Sequence, residues 1–376
     1  VTGVRAGDGA ICPVTELLAK YLLVFAVSLL LVHVLARMAK RAGLVDYPGR
    51  RKRHRGAIPL IGGPAIFAGL SFGVLLTVDS LDPYRPLFAA LAVLLLAGVL
   101  DDLRDLTPRQ KLFAQLVAGV CMVFWASRAV ISLGDLLGIG NISTDFLAIP
   151  FTLIALIGLI NAINMADGAD GLAGGLALIA FLFLASSALL VGRPVSAQML
   201  FTIIAVLLAF LSMNMRFPWQ RHAKVFLGDS GSMMLGMLLT WFSIEVARGR
   251  LAIPPIVAVW FLAVPLIDMG VVILRRLLRG DSPFRAGRDH FHHMLIAVGL
   301  SPGAAVRFVL LIAFALAASG FIAWRVGVAE SLLFYAFLAM LAMSCVLSWR
   351  WTRIARYLRR RWRWAAAASS NRIAPS

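Results

Sequence analysis

The sequence predicts an all-α, polytopic integral membrane protein with about eleven transmembrane helices, the N-terminus outside and the C-terminus cytoplasmic. Three observations carry that expectation. Of the 376 residues, 61% are hydrophobic and only 14% charged, whereas a water-soluble globule has about 25% charged residues; the bilayer is the solvent this composition suits. The apolar residues are gathered into runs, most of them near the ~20 residues that span a hydrocarbon core as helix. Finally, with the N-terminus outside, 28 of the 36 Lys and Arg fall on the cytoplasmic side, the asymmetry that sets topology in membranes.

Taken in order, the apolar runs lie near 15–38, 60–78, 86–100, 110–128, 147–165, 172–191, 197–215, 226–246, 254–274, 304–323 and 331–350. Residues 1–14 form a short extracytoplasmic segment, 15–350 one membrane domain, and 351–376 a basic cytoplasmic tail. The first run is span-length and is followed by Arg37, Lys40 and Arg41 rather than by a small-residue cleavage site, so it is expected to stay as span 1. The tail mixes Arg with Trp and Tyr (SWRWTRIARYLRRRWRW) and reads as a stop-transfer cluster continuing as an interfacial helix. Alternate loops at 37–55, 101–111, 215–225 and 275–303 face the cytoplasm.

Composition also excludes functions. Cys12, Cys121 and Cys345 are far apart, so neither a disulfide framework nor a CxxC metal site is written here. The net charge of +18 comes from basic clusters beside apolar spans, which set topology and touch anionic lipid; no nucleic-acid partner is expected. Neither a Walker loop nor a GxGxxG turn is present, so any phosphate would be held by metal, arginine and helix ends.

The chain has only 18 acidic residues, and six of them, Asp101, Asp102, Asp105, Asp167, Asp170 and Asp229, land at cytoplasmic span ends. Ionisable groups cost roughly 2.5–3.5 kcal/mol at the centre of a span, so those in or beside apolar segments face cavities or partners. In DDLRDLTPRQK (101–111), Asp101 and Asp105 share a helix face, Thr107 suits a helix cap and Pro108 a first turn that Lys111 then enters. The cluster is either a solvated loop or a set of carboxylates joined by a cation; hard oxygen donors favour Mg²⁺ or Mn²⁺ over zinc.

In NAINMADGADGLAGG (161–175), Asn161, Asn164, Asp167 and Asp170 recur every three residues as one polar stripe, with glycines between spans that let backbone open toward a cavity. VFLGDSGS (225–232) puts Asp229 at the start of span 8, where backbone N–H groups and the helix dipole suit an anion or a metal–phosphate. SPFRAGRDHFHHML (282–295) offers Arg285, Arg288, His290, His292 and His293, donors matched to a diphosphate. Their spacing is not that of a zinc HExxH helix. RKRHRGAIPLIGG (51–63) reads either as a topology signal or, through His54 and the Pro59, Gly62, Gly63 turn, as a place for a lipid phosphate.

In this order, the motifs DDxxDL, NxxNMxDGxDGLxGG, FLGDxGS and DSPFRAGRDHFHH resemble those of the polyprenyl-phosphate N-acetylhexosamine-1-phosphate transferases of glycosyltransferase family 4, from about residue 37 to about 305. HFHH and IPLIGG stand where the phospho-MurNAc-pentapeptide branch of peptidoglycan synthesis typically carries HHH and TPTMGG, so the chain is more similar to the branch that loads undecaprenyl phosphate with N-acetylglucosamine-1-phosphate. The resemblance implies an eleven-span fold in the bacterial cytoplasmic membrane, a UDP-sugar donor, an undecaprenyl phosphate acceptor, UMP as by-product, a role in starting lipid-linked surface glycans such as O-antigen, and Mg²⁺ as cofactor, with Mn²⁺ a substitute and a homodimer compatible. It implies a catalytic set of Asp101, Asp102, Asp167 and Asp170, with Asp101 acting on the lipid phosphate. Metal ligation falls to Asp229, Asp102 and Asp170, and substrate contact to His54, Lys111, Asn164, Arg285, Arg288, His290, His292 and His293.

An ion-coupled transporter is the rival from another class, since it too places acids in apolar segments. Transporter sites, however, lie near the midplane between repeated halves, and here the acids sit at span ends with no visible repeat.

Overall fold

The computed structural model describes residues 13–47, 56–249, 252–282, 287 and 289–370. The chain is helical almost throughout: α1 (Pro13–Ala42), α2 (Gly62–Thr77), α3 (Arg85–Arg104), α4 (Pro108–Val120), α5 (Ala148–Ala166), α6 (Leu172–Leu190), α7 (Pro194–Asn214), α8 (Gly228–Val246), α9 (Pro255–Phe261), α10 (Ala263–Leu277), α11 (Phe291–Val298), α12 (Pro302–Arg325) and α13 (Glu330–Ser370). A two-residue antiparallel ladder, β1 (Val45–Asp46) with β2 (Ile58–Pro59), joins α1 to α2. Each of the eleven apolar runs contains helix. Among the described residues, seven helices are long and apolar enough to cross a bilayer, and an eighth if α9 and α10 count as one crossing.

The three runs outside that count have physical reasons for it. α2 has 16 residues, and α4 has 13 before a π-helical turn at Cys121–Trp125 interrupts it. α8 is diluted by Gly, Ser, Asp229 and Glu245, yet it is buried along nearly its whole length. It packs against α2, α3, α5 and α6, so its environment is protein and it has no need of a lipid-compatible surface. Glycines bring these helices together, as expected where association depends on close backbone approach rather than on exclusion of water. A Cβ on Gly98 of α3 would stand 2.2 Å from Ser230 Cα, and one on Gly63 of α2 would stand 2.4 Å from Ser230 Oγ.

The core around α8 is aliphatic and aromatic, with Trp241, Phe242, Phe181 and Phe210 fully buried. The outer surface is also apolar: Leu75, Phe146, Ile154 and Leu311 are each at least 65% exposed. Apolar residues both inside and outside are the mark of a chain whose surroundings are hydrocarbon.

One element departs from expectation. The run at 254–274 is a single span on hydropathy, but the structure breaks it into α9 and α10, bent by 82°. Pro265 is the cause. It has no N–H to donate to the Phe261 carbonyl four residues earlier, and its ring crowds that oxygen. The tail does continue as helix, with α13 running through 351 to Ser370.

Because successive helices alternate in direction, α3, α5 and α7 end where α4, α6 and α8 begin. At the other end of the bundle, Glu245 pairs with Arg128 and with Arg193 (3.0 Å), and Arg128 lies over the Trp241 ring.

Candidate active site

The end where α3, α5 and α7 finish holds a cavity of about 1100 Å³, lined by Asp101, Asp102, Asp105, Asp167, Asp170 and Asp229 with Lys111, Arg216 and His293. The six acids singled out in the sequence are therefore gathered in one place. Each arrives there for a local reason. Asp101 and Asp102 are on the last turn of α3, where the chain reverses through Asp105 in a left-handed conformation (φ 51°). Thr107 then caps α4 with a reciprocal box: its hydroxyl accepts from Gln110 N at 3.4 Å, and Gln110 Oε1 accepts from Thr107 N at 2.9 Å. The capped helix projects Lys111 back over the reversal.

The carboxylates are not equivalent. Lys111 forms ion pairs with Asp101 and with Asp229 (2.6 Å), so one ammonium bridges two acids from helices far apart in sequence. Asp101 also accepts from Leu106 N at 2.7 Å, closing the reversal. Asp102 is turned away from Lys111 and accepts from Asp229 N (3.0 Å) and Ser230 Oγ (3.2 Å), which makes it the cap of α8. Gly228 has to be glycine for this. Its φ is 72°, and a Cβ there would stand 2.7 Å from Asp102 Oδ2. The FLGDSG string is thus a helix start fitted around a carboxylate, with Asp229 projecting into the cavity.

The polar stripe on α5 divides along its length. Asn161 donates to Gln115 Oε1 at 3.0 Å. Asn164 donates to Asp229 Oδ1 at 2.8 Å and to Ser232 Oγ at 2.9 Å, aiming Asp229 from the side opposite Lys111. Asp167, just past the helix, takes no hydrogen bond or ion pair from the described residues. Depth in the protein, and then the negative charges of Asp229, Asp102 and Asp170, push its carboxyl well above the ordinary range. Asp170 looks the other way: it accepts from Arg216 Nε (2.7 Å) and Ala223 N (3.2 Å), binding the 215–224 loop to the rim.

The histidine loop closes one wall. His290, His292 and His293 form a triangular cluster with ring centroids 6.0, 4.1 and 6.5 Å apart, and His293 reaches the cavity lining. His292 Nε2 is buried without a partner beneath Gly168. Burial, and then the neighbouring His293, push the His292 imidazole down to about 3, so it is neutral at any physiological pH. The IPLIGG string lies beneath the site: Phe226 N donates to Pro59 O (2.8 Å), and Gly62 N to Phe226 O (3.1 Å), fixing the strand that leads into Asp229. His54, Arg285 and Arg288, expected as substrate contacts, lie outside the described residues.

Sequence reading missed several participants. Arg216 and Asn214 belong to the α7 end; Asn214 accepts from Gly171 N at 3.0 Å and donates to Val225 O at 2.8 Å, stitching the two glycine-rich strings together. Asp268 on α10 receives His290 Nδ1 at 2.8 Å. Its signal was available, since it is a lone acid inside the apolar run PLIDMGVVI.

Chemically, the cavity offers an excess of hard oxygen donors, with one carboxylate surrounded by like charges and unpaired. That is an environment that accepts a divalent cation. Among the described residues, no three His, Cys, Asp or Glu side chains already stand close enough to enclose one.

Residues 84–247, which carry the acids from Asp101 to Asp229, match the family model for glycosyl transferase family 4. The chain is 34% identical to an undecaprenyl-phosphate α-N-acetylglucosaminyl 1-phosphate transferase of Yersinia pestis, over 93% of its own length and 96% of the relative's. It is 35% identical to the Haemophilus influenzae protein of the same name, over 90% and 96%, and 33% identical to that of Escherichia coli K12, over 80% and 82%. Similarity of that degree, extending well beyond the acidic strings to nearly the whole chain, means that this protein belongs to glycosyl transferase family 4.

Proposed function

We propose that the protein transfers N-acetylglucosamine-1-phosphate from UDP-N-acetylglucosamine to undecaprenyl phosphate, releasing UMP and leaving undecaprenyl-diphospho-N-acetylglucosamine. The observation that supports this most is the convergence of Asp101, Lys111, Asp167 and Asp229 on one cavity at a helix end, with Asn164 holding Asp229 from behind, in a chain whose relatives are named undecaprenyl-phosphate α-N-acetylglucosaminyl 1-phosphate transferases. The reading includes eleven crossings with the N-terminus outside, the cavity on the cytoplasmic face of the bacterial inner membrane, and a role in starting a lipid-linked surface glycan such as O-antigen. The positive-inside asymmetry supports the orientation.

In the reaction, a non-bridging oxygen of the lipid phosphate attacks the β-phosphorus of the donor. A new P–O–P bond forms, the bond between the bridging oxygen and the β-phosphorus breaks, and UMP leaves with that oxygen while the sugar keeps its phosphate. A phosphate monoester is largely ionised near pH 7, so the attacking group needs little deprotonation; the obstacle is repulsion between two anions. Lys111 supplies resident positive charge beside Asp101 and Asp229, and Asn164 holds Asp229 in one orientation. Asp101 orients the lipid phosphate, and the histidine cluster with the arginines preceding it takes the donor diphosphate.

Mg²⁺ fits the donor set. Asp102 and Asp229 would hold it as the resemblance implies, and unpaired Asp167 would stand in for Asp170, which is engaged by Arg216. When bound, the ion neutralises diphosphate charge.

Purified protein is to be given undecaprenyl phosphate, Mg²⁺ and a panel of UDP-sugars, with UMP release and lipid product measured for each. UDP-N-acetylglucosamine is expected to react fastest. Failure of every sugar with a folded preparation overturns the enzyme reading, and a preference for another HexNAc corrects only the donor.

A further inference from the structure

The break in the ninth span leaves an acid where an acid is expensive. Asp268 is the sixth residue of α10, in the first turns after the 82° bend, and a carboxylate inside an apolar segment is retained only where it has a partner. It has two, and both come from the histidine loop. Oδ1 accepts from Phe291 N at 2.8 Å, and Oδ2 receives His290 Nδ1 at 2.8 Å. His290 is the N-cap residue of α11 but its own side chain caps nothing. The cap is supplied instead from α10, so one carboxylate satisfies an orphan N–H at the start of α11 and fixes the imidazole beside it.

A second pair fastens the same loop to the same helix: Arg275 Nη2 meets Asp289 Oδ1 at 2.7 Å, and Arg276 Nε lies 3.9 Å from Asp289 Oδ2. His290 is 6% exposed, and its ring lies 12° from parallel with that of His292, which touches His293 at the cavity wall.

We propose that Asp268 is a positioning residue for the transfer reaction: as an acceptor-only carboxylate it holds the proton of His290 on Nδ1, fixes the ring that stacks on His292, and so sets the angle at which the histidine cluster presents His293 to the diphosphate. The inference rests on the transferase reading above. Its physical basis is that a hydrogen-bonded carboxylate selects both the tautomer and the ring orientation of its histidine. The bent span is then more than a packing accident, because only after the bend does α10 run where its sixth residue can reach the loop.

The test is a series at one position in the full-length protein. Asp268→Asn keeps an acceptor for Phe291 N through its carbonyl oxygen but presents N–H to His290 Nδ1, which reverses the tautomer while preserving the cap. Its UMP release is expected to fall about 10- to 100-fold, the range seen when a partner that orients a histidine is removed, with its melting temperature close to that of the unaltered protein. Asp268→Glu restores most of the turnover, and Asp268→Ala loses both turnover and thermal stability. The decisive readout is ¹⁵N NMR of the imidazoles, tractable with six histidines in the chain and with His290 assigned by its loss in His290→Gln. The proton is expected on Nδ1 in the unaltered protein and on Nε2 in Asp268→Asn. The proposal is overturned by Asp268→Asn turning over at the unaltered rate, or by its losing activity with the Nδ1 proton retained, which would make the role a purely structural one. An inactive unaltered protein would instead sink the transferase reading on which the series depends.

Discussion

At the scale of single residues, the same residue type does three different jobs within one cavity, and neighbours decide which. Asp101 and Asp229 share the Lys111 ammonium, Asp102 caps α8 while lining the cavity and Asp170 holds the 215–224 loop, and Asp167 faces like charges alone. Asp167 is therefore a stability liability. Its folded pKa lies above the unfolded value near 4, so the destabilisation is absent below about pH 4, builds as pH rises toward the folded pKa, and is complete above it. Asp167→Asn is expected to melt higher than the unaltered protein at pH 8, with a gap that shrinks as pH falls. Adding Mg²⁺ should narrow the gap by stabilising only the unaltered protein. Differential scanning fluorimetry in detergent across pH 4–9 measures this, and a gap that does not change with pH refutes the account of Asp167.

At the scale of elements, the site depends on how closely helices approach. α8 carries Asp229 into the cavity only because Gly98 and Gly63 let α3 and α2 lie against Ser230. Since the atoms opposing Gly98 are backbone, they have no rotamer to move to. Gly98→Ala is expected to cost about 3 kcal/mol, the upper end for overpacking, and to lower turnover by displacing Ser230 and with it the cap that Asp102 places on Asp229. Thermal melting together with UMP release tests both parts; a variant with unaltered melting and rate would show that α3 and α8 can part without consequence. The capping box at Thr107 and the α8 start at Gly228 were legible in the strings TPRQ and LGDSG, because caps and left-handed turns are local and leave local residue signatures. The 82° bend was legible too, in Pro265, but a mean over an apolar window does not register a missing N–H.

At the scale of the whole molecule, the protein is a bundle with two unlike ends, an acidic cavity at one and the Glu245 cluster with Arg128 and Arg193 at the other. The proposed orientation puts the cavity in the cytoplasm. With native cysteines replaced, a cysteine at exposed His222 is expected to resist a membrane-impermeant maleimide applied to intact cells, and one at exposed Leu137 to react; the opposite pattern inverts the topology. By itself the sequence determined the helical class, the membrane setting, the positions of the apolar runs and the six acids that meet, since all of these follow from hydropathy, helix length and the cost of charge in hydrocarbon. It could not determine who pairs with whom. The stripe from Asn161 to Asp170 reads as one face, yet the helix stops at Ala166 and Asp170 turns to Arg216, a residue 46 positions away. Asp268 reads as an isolated acid, and only the fold brings the histidine loop back across 22 positions to meet it. Partnership between side chains distant in the chain depends on helix crossing and bending, which are settled by packing of the whole bundle, and that is where the tertiary structure decided what the acids do.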